Sequence, residues 1–129
     1  GYHAFKHFWG DHDAAFRQHF LPRLGHYQYV VRPIAITEEL GDLILEKTAG
    51  VQRLIIALWI AAHRVAFERN DDDLCLDDFK VAADTYLAPV AQAVAALHSN
   101  DPARLSMYED LSPQDHSFWA QFWSNISRN

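Results

Sequence analysis

The chain has one cysteine, Cys75, which excludes an internal disulfide framework and a cysteine-based zinc site. Glycine and proline are scarce, five of each in 129 residues, and half the residues are hydrophobic, so the composition is that of a folded chain rather than a low-complexity one. Long apolar runs are missing too. The longest, Leu54 to Ala62, falls well short of the ~20 residues that span a bilayer. No charged-apolar-small leader opens the chain, and a cytoplasmic setting is expected. The first residue, Gly1, is not a methionine, which points to a fragment or processed product. No stretch of useful length alternates as a strand would.

Basic charge is also lacking. The net charge is −6 at pH 7. Residues 1–36 hold four basic and two acidic groups and five histidines, whereas residues 37–100 hold five basic and eleven acidic groups. DNA affinity comes mainly from neutralising phosphates with lysine and arginine. Strong contact with nucleic acid therefore falls to the basic N-terminal third or to another part of a larger protein.

What is present is helical periodicity. Phe16, Phe20 and Leu24 form one apolar stripe, which Pro22 is expected to kink or shorten. "YVVRPIAI" reads as an extended connector, because Arg32 precedes a proline. Thr37 followed by Glu38 and Glu39 is an N-cap with an acidic first turn, and the helix it opens should stop near Lys47, with Gly50 just beyond. Residues 51–69 form the strongest helix and, being apolar around most of its circumference, the expected central element. Gln52 and His63, like Arg53 and Arg64, stand eleven apart and share one narrow stripe. Asp77 is expected to cap a further helix reaching about His98, kinked at Pro89. Asp101–Pro102 and Ser112–Pro113 each open a short helix, the last carrying Phe118, Trp119, Phe122 and Trp123. The fold expected is all-α, a compact helical bundle.

Few residues announce chemistry. His3 and His7 stand at i,i+4, and His12 and His19 are seven apart, so one face could offer imidazoles to a metal. No cysteine or convergent glutamate completes that set. The acid-rich "NDDDLCLDDF" lacks the glycine and terminal glutamate of an EF-hand and reads as a solvated helix–helix turn. No phosphate-cradling loop or nucleophilic triad is present, and Cys75 lies in an acidic stretch that does not favour a reactive thiolate. Arg53 is the odd residue, a cation in the first turn of an apolar helix, where the macrodipole opposes it by up to ~1 kcal/mol.

The run "ITEELGDLILEKTAGVQRLIIALWIAAHRVAF" resembles the C-terminal helical lid of AAA+ ATPases, in which one helix ends at a glycine and the next begins with a sensor-2 arginine. Tyr27-Gln28-Tyr29, Pro33, Gly50, Ala96-Leu97, Asp101 and Tyr108-Glu109-Asp110-Leu111 narrow the likeness to the TnsC/TniB group of transposition regulators. It covers roughly residues 16–113. The Walker A and Walker B motifs are absent, so the base that binds ATP and Mg2+ lies outside this chain.

The resemblance implies a lid-like helical domain over residues 1–111 and a C-terminal helical extension over 112–129. It implies nucleotide sensing by Gly50 and Arg53, and partner docking by Phe118, Trp119, Phe122 and Trp123. Through a full-length homo-oligomer it implies transposase subunits, a target-selector protein and target DNA as partners, with ATP and Mg2+ as the parent's cofactors and no membrane. The chain itself is not expected to be catalytic. The rival expectation is a stand-alone helical module with a metal or ligand site at His3 and His7. A lid from another AAA+ branch, such as a replication loader, is a third; a winged helix after residue 100 would mark it, and none is seen.

Overall fold

A computed structural model describes residues 13–69, 73–99 and 116–127. Every regular element among them is helical, and the extended backbone of Arg32 pairs with that of Asp73 in an isolated bridge. The expected all-α class is what the structure shows.

Residues 13–25 form one continuous helical stretch, α1, in which Asp13–Ala15 and Leu21–Gly25 are α-helical and Phe16–Phe20 is wound as a π-helix. Proline lacks an N–H, and in a regular helix its ring would meet the carbonyl four residues back. The wider turn just ahead of Pro22 fits that need: the Leu21 N–H donates to the Phe16 carbonyl, five residues back. Pro22 is thus accommodated within α1, which runs on to Gly25.

The connector that follows is held by one side chain. The Gln28 amide donates to the carbonyls of Gly25 and Ile34, each at 3.1 Å, and accepts from the Ile34 N–H at 2.7 Å. Trp59 ties the same connector to the core through its indole N–H, 3.1 Å from the Tyr27 carbonyl.

Helix α2, Glu38–Thr48, starts as the sequence indicates, with the Thr37 hydroxyl accepting from the Leu40 N–H at 3.1 Å. Its end is shared between two residues. Ala49 takes the left-handed conformation (φ 53°), and Gly50 follows at φ 76°. Glycine does this freely, but alanine carries a Cβ penalty of about 1–2 kcal/mol. Buried Thr48 helps by donating to the Ile44 carbonyl and accepting from the Gly50 N–H.

Helix α3, Gln52–Glu68, is the central element, burying Leu54, Ile55, Leu58, Trp59 and four alanines. The alanines at 57, 61, 62 and 66 permit close approach of α4, Leu76–Tyr86, its most extensive partner. The N-cap of α4 is Cys75, not Asp77, which lies exposed in the first turn. A 3-10 turn, Ala88–Val90, breaks the path at Pro89, and α5 spans Ala91–Ser99. The single helix expected from residue 77 to about 98 is therefore two. Helix α6, His116–Ser127, completes the described chain. The helix starts at Asp101–Pro102 and Ser112–Pro113 lie outside the described residues.

Candidate functional site

The region of interest lies where α3 begins. Its N-cap, Val51, is extended (φ −69°, ψ 118°) and its apolar side chain caps nothing. The first turn holds no acidic residue. The first backbone N–H groups of a helix lack intrahelical partners and carry partial positive charge. Buried Gly50 and the left-handed turn bring the chain into this point, and Arg53 projects from it, exposed.

Arg53 rests against the last helix. Its guanidinium carbon lies 4.5 Å from the centroid of the Trp119 ring on α6. No acidic side chain pairs with it among the described residues, although Arg17, Arg64 and Arg69 each have a carboxylate partner. Stacking engages the flat face of a guanidinium, while its five N–H donors lie in the plane.

From Trp119 an unbroken track of contacts runs to Arg64. The rings of Trp119 and Phe122 meet edge to face at 5.9 Å, and Phe122 meets Tyr86 in the same way at 6.3 Å. The Tyr86 hydroxyl donates to Glu68 at 2.8 Å, and the Arg64 Nε donates to the same carboxylate oxygen at 2.9 Å. Burial, and then the hydrogen bond and charge of Glu68, push the Tyr86 phenol above its ordinary value, with Arg64 partly opposing. Helix α6 meets the Arg53 end of the shared stripe through Trp119, and Tyr86 of α4 meets the Arg64 end through Glu68. The two arginines meet different partners on it, an aromatic face and a carboxylate.

The four aromatics of α6 separate by burial. Phe118, Trp119 and Phe122 are buried and belong to the common core. Trp123 is 45% exposed, which leaves it as the aromatic of this helix that a partner could reach. Of the four residues expected to dock a partner, Trp123 is the exposed one. His3 and His7 lie outside the described residues, as does His12. Among the described residues no group of three His, Cys, Asp or Glu is placed to hold a metal ion.

Two arrangements escaped the sequence reading. Arg69, at the end of α3, grips both carboxylate oxygens of buried Asp78 at 2.9 and 2.7 Å, and the Cys75 N–H donates to the same carboxylate at 2.9 Å. Among the described residues of the acid-rich stretch, Asp78 is therefore buried and structural, while Asp77 is exposed. Burial alone would raise the Asp78 pKa. The hydrogen bonds from Arg69 and Cys75, together with the Arg69 charge, outweigh it and hold the carboxyl below its ordinary value.

The second arrangement is an apolar groove of about 390 Å³ between the connector and α3, lined by Leu24, Tyr27, Tyr29, Ile56, Trp59, Ile60 and His63. Tyr27, Tyr29 and Ile56 are largely exposed around it. His63 bonds the Trp59 carbonyl through Nδ1 at 2.8 Å, and its buried Nε2 has no hydrogen-bond partner among the described residues. The i,i+4 spacing of Trp59 and His63 was the available signal. No known protein family, curated protein or solved structure matches this chain.

Proposed function

We propose that this chain is the helical lid and C-terminal extension of an AAA+ ATPase that regulates DNA transposition. The parent would assemble as an ATP-dependent oligomer on target DNA and connect a target-selecting protein to the transposase subunits. The role of this region is regulation and interaction, with no chemistry of its own. The resemblance of residues 16–113 supports that reading. The observation that carries it is Arg53: an exposed guanidinium in an uncapped first turn, directly after a left-handed helix break, with no carboxylate partner among the described residues.

These residues suit the edge of a nucleotide site rather than a whole one. Arg53 would contact the γ-phosphate of ATP, a charge-assisted and often bidentate contact. The phosphate loop and the Mg2+ ligands would belong to the base. A bound phosphate supplies negative charge that the first turn of α3 itself lacks, which offsets the unfavourable position of the arginine.

The coding sequence upstream of Gly1 tests this reading. Walker A and Walker B motifs encoded in frame are expected. A start codon beside Gly1, or an upstream domain without a phosphate loop, would overturn it.

A further inference from the structure

The contact between Arg53 and Trp119 joins the two features that the proposed function keeps apart, the nucleotide-sensing residue and the C-terminal helix. A free arginine side chain carries ~2 kcal/mol of rotamer entropy, and an anion that fixes it must overcome that freedom. Trp119 is 9% exposed and sits in the common core, so its ring is a fixed surface. The guanidinium carbon over that ring, at 4.5 Å from its centroid, is already confined. Five N–H donors allow a guanidinium held over a ring to bind an incoming anion as well.

We infer that Trp119 is a positioning residue for Arg53: helix α6, docked on the core, holds the guanidinium ready for the terminal phosphate of a nucleotide. This rests on the nucleotide role proposed above. A guanidinium confined over Trp119 still has N–H donors for the anion, so helix docking and nucleotide binding reinforce one another. By linkage the effect runs both ways. Nucleotide tightens the seat of α6, and a partner that pulls α6 away weakens nucleotide binding.

The test uses the intact ATPase, Mg-ATP as probe, and the variants Arg53→Ala, Trp119→Leu, Trp119→Tyr and the double variant Arg53→Ala/Trp119→Leu. Leucine keeps apolar bulk but removes the aromatic face, and tyrosine restores a face. Trp119→Leu should weaken ATP binding about two- to five-fold, the range set by a partly exposed cation–π contact. Trp119→Tyr should recover most of that loss. In the Arg53→Ala background, Trp119→Leu should have no further effect. Mg-ATP should slow hydrogen exchange across residues 116–127 in the wild type and leave it unchanged in Arg53→Ala.

Equal weakening by Trp119→Leu in both backgrounds would reduce Trp119 to a packing residue and overturn the inference. Tighter ATP binding, or faster exchange on adding ATP, would also overturn it, since the helix would then compete with nucleotide. If Arg53→Ala weakens ATP binding while Trp119→Leu does nothing, only the positioning role fails. If Arg53→Ala leaves ATP binding intact, the nucleotide reading itself fails, and the positioning role with it.

Discussion

Arg69 closes α3 by holding both oxygens of Asp78, the N3 residue of α4, so the two central helices are joined by a bidentate ion pair. The Asp78 side chain is 2% exposed and that of Arg69 34%. Removing the cation from a buried pair leaves an uncompensated charge, at a cost of ~3–5 kcal/mol. Partial exposure of Arg69 puts the expected loss for Arg69→Ala at the lower end of that range. Urea unfolding followed by far-UV dichroism measures it; a change under ~1 kcal/mol would mean that solvent already screens the pair.

The same carboxylate sets an acid limit. Its pKa is held below the ordinary value in the folded chain. It therefore contributes stability that is present in full above the unfolded-state value of ~3.9 and is lost as pH falls through the lower folded value. Melting temperatures taken from pH 5 downward should drop in that window, and Asp78→Asn should flatten that part of the profile. An unchanged slope in Asp78→Asn would assign the acid sensitivity to other carboxylates.

Gln28 should matter far more than its place in an irregular connector suggests. Its amide satisfies two carbonyls and one N–H, in effect replacing a strand partner. Gln28→Ala leaves the Ile34 N–H without that acceptor, a loss of about 1–3 kcal/mol where the group stays dry. Hydrogen exchange at Ile34 should accelerate strongly while α4 keeps its protection. Unaltered exchange at Ile34 would mean that water replaces the amide without penalty.

Local signals in the sequence survived in the structure, and signals settled by distant partners did not. Thr37 was legible because a cap needs only its own side chain and an N–H three residues on. The end of α2 was only partly legible. Gly50 is left-handed, but Ala49 is too, and no propensity points to alanine there. Which aspartate of the acidic turn is buried depends on where Arg69 arrives, so Asp77 and Asp78 look alike in sequence. The aromatic stripe of α6 was plain as periodicity. Its burial depends on Tyr86 and the core, which periodicity cannot reveal. Arg53 stood out by its conflict with the helix dipole, but its stacking on a residue 66 positions later carried no sequence signal.

The α6 aromatics should divide in mutagenesis as they divide in burial. Phe122 is 2% exposed, and Phe122→Ala should destabilise the chain by about 3–5 kcal/mol, as aromatic truncation in a core does. Trp123→Ala should change stability by no more than ~0.5 kcal/mol, as surface substitutions do, yet on the proposed function weaken recruitment of transposase subunits by the proposed parent ATPase. Thermal unfolding paired with a pull-down separates the two effects. Normal recruitment by a stable Trp123→Ala variant would remove α6 from the docking surface.

The most direct measurement of the proposed function is ATP affinity, with ATP-dependent assembly on DNA, for Arg53→Ala and Arg64→Ala in the proposed parent ATPase. Losing a hydrogen bond to a charged group costs about 1.5–3 kcal/mol, so Arg53→Ala should weaken both by roughly ten-fold or more. Arg64 is already paired with Glu68 and lies three turns further along α3, so Arg64→Ala should do much less. Both variants should keep the helical spectrum of the wild type. Wild-type ATP binding and assembly by a properly folded Arg53→Ala protein would contradict the nucleotide-sensing role and leave Arg53 as a surface residue resting on Trp119.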